Sequence, residues 1–161
     1  MAMTSSGTAV VTLPTDTQIE ITRTFDAPRH LVYKAYTTPE LIKRWWGGDR
    51  GDVTLAEVDL RVGGKWRYVM TANGGYEVGF HGVYREIIPN ERLVFSETFE
   101  GMPEGEALNI VSFDDENGHT LLKNVAEYPS REIRDAVINS GMEGGMQESM
   151  DHLEQVAISL R

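Results

Sequence analysis

The chain has 161 residues, with 25 acidic against 15 basic side chains, a formal net charge of −10 and no cysteine. The charge disfavours binding to nucleic acids and to anionic membrane surfaces, and the lack of cysteine excludes disulfides, thiolate metal sites and cysteine nucleophiles. No apolar run approaches the roughly 20 residues that span a bilayer, and no secretion signal is recognisable at the N-terminus. We therefore expect a cytoplasmic protein with no membrane insertion.

The first residues differ in composition from the rest. Residues 1–16 are rich in Ser, Thr and Gly, which predicts a flexible N-terminal tail followed by a single domain over residues 17–161. From residue 18 to 25, Ile19, Ile21 and Phe25 alternate with polar residues, which is typical of a half-buried strand.

Two short helices are predicted after this strand. Pro28 and Pro39 occupy positions suited to the first helical turn, and the second helix, over residues 40–46, is stopped by Gly47. The second helix carries the doublet Trp45-Trp46. Because consecutive helical residues point about 100° apart, we expect one indole to be buried and the other to be partly exposed.

The remainder reads as a meander of strands followed by helices. Turn-forming residues separate β segments, which predicts consecutive antiparallel hairpins near 52–60, 64–72, 76–88, 92–100, 106–114 and 119–128. A short helix is expected over 130–139, and a longer one should follow the glycines at 141–145. The apolar residues of this last helix recur every three or four positions, at Met142, Met146, Met150, Leu153, Ala157 and Leu160.

Gly63-Gly64-Lys65 resembles part of a phosphate-binding loop, but the sequence after it favours a turn. A nucleotide cradle needs GxxxxGK[ST] before a helix, whereas Trp66 to Met70 has the composition of a strand. We therefore interpret Gly63-Gly64 as a hairpin turn and expect Lys65 to point to solvent.

Motifs for metals, cofactors or serine nucleophiles are not found. The acidic stretch 114–118 lacks the downstream glutamate and helices of a calcium loop, and the four histidines have no ligand spacing. The glycines at 141–145 do not follow a strand as a dinucleotide fingerprint does, and no GxSxG elbow occurs. The sequence predicts neither a metal nor a cofactor.

The most informative feature is a set of aromatic residues on one predicted sheet face. Residues with this alternation are Trp66, Tyr68 and Met70 on one strand, Val78, Phe80, Gly82 and Tyr84 on the next, and Leu93, Phe95, Glu97 and Phe99 on a third. They can form ordinary core beneath the last helix or the wall of a ligand cavity. Glu97 either enters that cavity or turns to solvent at a bulge.

Four stretches carry a resemblance to a known family: FDAPRHLVYKAYTTPELIKRWWG at 25–47, VDLRVGGKWRYVM at 58–70, GVYREIIPNERLVF at 82–95 and GMEGGMQESMDHLEQV at 141–156. On these residues the chain resembles the SRPBCC superfamily of START-like, helix-grip proteins, within it the subfamily of the activator of heat-shock-protein-90 ATPase homologue C-terminal domain. It departs from the pattern at Met146, where an aromatic residue is common.

The resemblance implies an α+β helix-grip fold: a curved antiparallel sheet, two short helices, and a long C-terminal helix over a hydrophobic cavity. The cavity residues that we expect to bind a ligand are Trp46, Trp66, Tyr68, Met70, Phe80, Tyr84, Phe95, Glu97, Phe99, Met146, Met150 and Leu153. Glu97 and His81 are the candidates for any catalysis.

Fold alone does not name an activity, so three functions are carried forward. The leading one is binding of a small hydrophobic or aromatic molecule without a cofactor. The first alternative is interaction with a chaperone, although members similar to the founding activator also have a separate N-terminal domain. The second is cyclase or hydrolase chemistry by acid–base groups in the cavity. Homodimer formation is also compatible with the sequence.

Overall fold

A curved sheet of nine antiparallel strands forms the centre of the structure, which is a computed structural model describing residues 2–3 and 8–161. The strands lie in the order β1-β2-β3-β9-β8-β7-β6-β5-β4. Each strand from β4 to β8 pairs with the next one along the chain, and β3 pairs with β9. The strands are β1 Ala2–Met3, β2 Val10–Leu13, β3 Gln18–Phe25, β4 Gly51–Val58, β5 Lys65–Ala72, β6 Glu77–Ile88, β7 Arg92–Phe99, β8 Ala107–Glu116 and β9 His119–Glu127.

Helices occupy two connections of this sheet. α1 Arg29–Thr37 and α2 Pro39–Ile42 join β3 to β4, and α3 Arg131–Asn139 and α4 Met142–Ser159 follow β9. A single 3₁₀ turn, Pro103–Gly105, lies between β7 and β8. The predicted α+β helix-grip architecture is therefore confirmed. Among the residues that the structure describes, no helix combines the length and apolar character that crossing a bilayer needs.

The turn at Gly63-Gly64 is confirmed as a strand connection. Gly63 has a φ of 84°, a left-handed conformation that glycine adopts without the steric cost of a Cβ. Its backbone N–H donates to the carbonyl of Tyr84 at 2.8 Å, which ties the turn to β6. Lys65 then begins β5 with an exposed side chain. The motif closes a hairpin and has no helix behind it to bind an anion.

The N-terminal segment differs from its prediction as a flexible tail. Residues 10–13 form β2, which pairs with β3 through Val11 opposite Ile21. Val11 is fully buried and joins a small core cluster with Ile19 and Ile21. The short apolar alternation at Val10-Val11-Thr12-Leu13 is enough to extend the sheet, and it outweighs the Ser, Thr and Gly content around it. Residues 1 and 4–7 of the predicted tail lie outside the described residues.

The second helix is shorter than predicted. α2 ends at Ile42, and residues 43–49 continue as hydrogen-bonded turns, with the N–H groups of Trp45 and Trp46 donating to the carbonyl of Ile42 at 3.1 and 3.0 Å. The predicted division between the two indoles is confirmed. Trp45 is 5% exposed and donates its indole N–H to the carbonyl of Ala35 at 3.0 Å, whereas Trp46 is partly exposed.

The break between the last two helices consists of two residues, Ser140 and Gly141. Ser130 caps α3 by accepting a hydrogen bond from the N–H of Ile133 at 3.2 Å. Gly141, with a φ of 83°, separates α3 from α4, and α4 begins at Met142. Gly144 and Gly145, which we expected to precede the helix, are therefore inside its first turn.

The main core lies between the sheet and the helices α1 and α4. Met150 and Leu153 of α4 belong to the same buried cluster as Tyr68, Phe95 and Phe113 of the sheet, as the helical stripe predicted. Arg23 of β3 is also buried. Its guanidinium donates to the carbonyl of Met150 at 3.0 Å and to the Asp151 carboxylate at 2.9 Å, which fastens α4 to the sheet.

Candidate functional site

A cavity of about 810 Å³ lies between the sheet and α4. Its size is within the range of small-molecule sites, which is roughly 300–1,000 Å³. Eleven of the twelve residues that the sequence predicted as ligand-binding line it, namely Trp46, Trp66, Tyr68, Met70, Phe80, Tyr84, Phe95, Glu97, Phe99, Met146 and Met150. The alternation along β5, β6 and β7 thus places the aromatic face inside the fold and leaves space above it.

Aromatic rings in edge and tilted contacts build one wall of the cavity. Trp46 packs edge-on against Tyr68 and Phe80, with ring centroids 5.5 and 5.4 Å apart. Trp66 lies 4.7 Å from Tyr68 and donates its indole N–H to the carbonyl of Ser96 at 3.2 Å. Because each ring is fixed by another ring or by a backbone hydrogen bond, this wall is pre-formed.

Glu97 is the carboxylate on this otherwise apolar face, as the alternation along β7 predicted. It is half-buried, lines the cavity, and accepts a hydrogen bond from Nδ2 of Asn109 at 3.1 Å. Burial raises the pKa of the Glu97 carboxyl above its ordinary value of 4.5, and the Asn109 hydrogen bond opposes that rise. The solvent-facing alternative for Glu97 does not apply.

Five tyrosines also line the cavity. Tyr76 is exposed, and the other four are Tyr36, Tyr68, Tyr84 and Tyr128. Burial raises the pKa of each of these four phenols, to about 12 for Tyr84, so that all four are neutral at physiological pH. The hydroxyls of Tyr68 and Tyr84 share a hydrogen bond, and the charge of Glu97 further raises the pKa of Tyr36, Tyr68 and Tyr128. Neutral hydroxyls around one carboxyl supply both donors and acceptors to a ligand.

Two asparagines add amide groups to the same space. Asn109 of β8 is 3% exposed, and Asn124 of β9 presents a buried Oδ1 atom that accepts no hydrogen bond. A buried acceptor without a donor costs free energy, about 1–3 kcal/mol, unless a ligand or water satisfies it. Asn124 is thus a position in the cavity wall where a donor on a ligand can form a hydrogen bond.

Hydrogen bonds join the loop that carries Trp46 to α4. Ser149 donates its hydroxyl to the carbonyl of Trp46 at 2.8 Å, and Arg50 pairs with Glu148 at 3.2 Å. Next to them, Nε2 of His152 lies 2.9 Å from a carboxylate oxygen of Asp49. These contacts hold the helix at one side of the cavity and fix the position of the Trp46 ring.

Two predicted site residues lie elsewhere. Leu153 is fully buried in the core and does not line the cavity. The apolar stripe of α4 is wider than the part of the helix that borders the cavity. His81, a catalytic candidate, is on the opposite face of β6 from Phe80. It is exposed, and its Nδ1 lies 2.9 Å from the carboxylate of Glu100, which also binds Arg67. The period of two along a strand places His81 outside.

The sequence reasoning missed Tyr36, Asn109, Asn124 and Tyr128. A signal existed for Asn109, because it shares the inward register of β8 with Ala107 and Val111. Tyr36 lies in α1, outside the strands whose alternation predicts the wall, and Tyr128 follows the end of β9, where no alternation can orient it. Among the described residues there is no group of three or more potential metal ligands.

A second depression, of about 330 Å³, lies near Arg23 on the other side of α4. It is lined by polar side chains, and the Arg23 guanidinium there is already paired with Asp151 and Glu154 at 2.9 and 3.3 Å. The aromatic cavity is therefore the better candidate for a ligand site.

Comparison with known structures supports the fold. A protein from Rhodobacter sphaeroides is 28% identical over 92% of this chain and 97% of its own, with a TM-score of 0.86. A Chromobacterium violaceum protein is 25% identical over 89% of this chain and 98% of its own, with a TM-score of 0.78. A Mycobacterium smegmatis protein, 23% identical over 96% of both chains with a TM-score of 0.82, shares the fold. No curated protein matches.

A match to a family model identifies the family of this chain. The model described as "Activator of Hsp90 ATPase homolog 1-like protein" matches residues 26–157, which run from the start of the α1 region nearly to the end of α4. The match spans the Trp45-Trp46 loop, the whole β4–β9 meander and the cavity wall formed by α4. The chain belongs to the family of Activator of Hsp90 ATPase homolog 1-like proteins.

Proposed function

We propose that this protein binds a small, largely aromatic or apolar molecule in the cavity between the sheet and α4, without a cofactor. The observation that carries the proposal is a cavity of about 810 Å³ whose aromatic wall is combined with a single carboxylate, Glu97. Apolar walls with a few polar groups are typical of small-molecule sites, because the walls supply affinity and the polar groups fix orientation.

The composition of the walls suits a ligand with planar rings. Trp46, Trp66 and Phe80 offer ring faces and edges, while Met146 and Met150 are flexible side chains that adapt to irregular shapes. A ligand that fills this space removes apolar surface from water at roughly 25 cal/mol per Å². Burial of apolar surface can account for binding without a chemical reaction. His81, one of the two candidates for acid–base catalysis, is exposed and lies outside the cavity.

Thermal unfolding in the presence of aromatic and aliphatic probes tests this proposal. A ligand that binds only the folded state adds RT ln(1 + [L]/Kd), about 2.7 kcal/mol at a hundredfold excess over Kd. For a domain of this size that is a rise in Tm of roughly 5–10 °C. Absence of any rise across chemically diverse probes would overturn the proposal.

NMR spectroscopy locates the binding. The indole N–H resonances of Trp46 and Trp66 should shift with probe concentration, and the amide of Gly118, in the β8–β9 turn outside the cavity, should not. Shifts confined to the Gly118 side of the sheet would place the ligand elsewhere.

Interaction with a chaperone is the second candidate function, favoured by the family description alone. Its test is the ATPase rate of purified Hsp90 with and without this protein. A concentration-dependent rise that saturates at a fixed stoichiometry supports it, and an unchanged rate at high protein excess contradicts it.

A further inference from the structure

The carboxylate in the cavity has no counter-charge. Glu97 accepts one hydrogen bond, from Asn109, and forms no ion pair with any Lys, Arg or His among the described residues. The cationic residue that lines the cavity is Arg50, and its guanidinium is half-exposed and already paired with Glu148. A carboxylate needs several donors when it is removed from water, so this one is under-supplied.

The remaining polar groups add acceptors to the same space. The buried Oδ1 of Asn124 has no donor, while the Nδ2 of Asn109 is already used by Glu97. β8 and β9 are neighbours, and Asn109 and Asn124 lie two residues apart in their register, so the amides and the carboxyl lie along one part of the wall. The wall therefore presents two acceptors, the Glu97 carboxylate and the Oδ1 of Asn124, that lack a full set of donors.

The rings around the carboxylate also favour positive charge. Trp66 and Phe95 pack edge to face at 5.7 Å, and Trp46 and Tyr68 at 5.5 Å, so that rings in different orientations line the cavity. The face of an aromatic ring carries negative partial charge and attracts organic cations, most strongly where water is excluded. An aromatic cavity with one unpaired carboxylate is the environment that an alkylammonium group prefers.

We propose that the ligand is an amine or a related organic cation on an aromatic or apolar body, with its protonated nitrogen paired with Glu97. This inference rests on the proposed function and specifies its ligand class. The rings bind the body, the carboxylate binds the nitrogen, and a second donor on the ligand satisfies Asn124. A carboxylic acid or phosphate ligand would instead meet Glu97 with like charge.

Proton linkage follows from the groups that line the cavity with Glu97. They include Tyr36 from α1, Tyr68 from β5, Tyr84 from β6, Asn109 from β8 and Tyr128 after β9, and none of these is charged at physiological pH. The charged residue in the lining, Arg50, is paired with Glu148. Burial raises the Glu97 pKa in the free protein, and an ammonium group lowers it again. Binding should therefore release a proton while Glu97 is protonated, and affinity should rise with pH until the amine itself loses its proton.

The experiment compares matched pairs of probes that differ only in charge. Benzyl-, naphthylmethyl- and biphenylmethyl-ammonium are titrated beside the corresponding neutral alcohols by isothermal calorimetry, in two buffers of different ionisation enthalpy. The wild type, Glu97→Gln and Glu116→Gln are measured. Glu116 is exposed in the β8–β9 hairpin, so its substitution removes the same charge without altering the cavity.

We expect the best ammonium probe to bind at least about tenfold more tightly than its alcohol, since a hydrogen bond between charged groups is stronger than one to a neutral group. Glu97→Gln should remove that preference while the alcohol keeps its affinity, and Glu116→Gln should change neither. Thermal unfolding of both variants checks that they fold.

Three results would overturn the inference. Alcohols that bind as tightly as the amines refute the cationic ligand and leave the proposed function intact. Equal weakening of both probe types by Glu97→Gln shows that Glu97 supports the structure and does not contact the nitrogen. Failure of every probe to bind contradicts the inference and the proposed function together.

Discussion

Replacing Gly145 by leucine should partly fill the cavity and stabilise the protein at the same time. Gly145 is in the first turns of α4 and lines the cavity, and a Cβ placed on it would meet no atom within 4 Å. Its backbone φ is outside the left-handed region, so a leucine fits without strain. The new side chain would occupy space that we assign to the ligand.

The two effects have separate magnitudes. Glycine in a helix is about 0.8–1 kcal/mol less favourable than alanine, and leucine is close to alanine, so the free energy of unfolding should rise by about 0.8 kcal/mol. For a chain of this length the Tm should rise by roughly 2–3 °C. A ligand that has to share its space with the leucine loses about 1–3 kcal/mol, which is roughly a five- to 150-fold weaker Kd.

Gly144→Ala is the matched control. Gly144 is the neighbouring helical glycine but does not line the cavity, and its added Cβ would meet only the mobile end of the Arg50 side chain, at 2.7 Å. It should raise Tm by a similar amount and leave the Kd unchanged. Calorimetric titration and thermal unfolding measure both quantities. A stabilised Gly145→Leu variant with unaltered affinity would show that ligands bind outside this cavity, and a large loss of stability would show that the space is filled.

Three further predictions concern stability and titration. Met150→Ala removes a side chain that is 6% exposed and should lower the free energy of unfolding by about 2 kcal/mol in urea, whereas a loss below about 0.5 kcal/mol would contradict its core position. Arg23→Met removes the guanidinium that donates to the carbonyl of Met150 and should lower the free energy of unfolding by about 2 kcal/mol. The control Arg92→Met, at an exposed ion pair, should lower it by less than about 0.5 kcal/mol. Equal losses would refute the role of Arg23 in anchoring α4. NMR titration should give Glu97 a pKa above 4.5 and Glu100, which binds Arg67 and His81, a pKa of about 2; the reverse order would contradict both environments.

The titration also sets the sign of the pH dependence of stability. Because the folded protein holds the Glu97 proton more tightly than the unfolded chain, stability falls as pH rises from about 4.5 through the folded pKa, and Glu97→Gln should remove that fall. Glu100 acts in the opposite direction. Its contribution to the stability of the folded protein is present above a pH of about 4.5 and is lost as the pH falls towards 2.

Most of the fold was predictable because its signals are local. The strand β3 over Gln18–Phe25 was predicted to the residue, and the β4–β9 strands to within two residues at each end, since turn residues separate segments with a period of two. The β2 strand was missed because four residues with apolar alternation were judged by the composition around them. Composition averages over a segment, whereas pairing with β3 depends on individual side chains.

The site was predictable mainly where the alternation of a strand or the stripe of a helix supplies it. Trp66, Tyr68 and Phe80 lie inward as their alternation required. Tyr36 and Tyr128 reach the cavity from a helix and from a strand end, so their positions depend on how elements pack. The spacing of residues along a single element does not determine how that element packs against the others.

The pairing of β3 with β9 has a consequence for how the chain folds. It joins residues about a hundred positions apart, such as Gln18 and Glu127, while the hairpins from β4 to β9 close locally. Entropy favours the early formation of local hairpins over such a distant contact. During vectorial synthesis the aromatic face of the meander therefore emerges before α4, which follows every strand, and it stays uncovered until that helix docks. In this interval the side chains that later hold a ligand are open to chaperones and to aggregation.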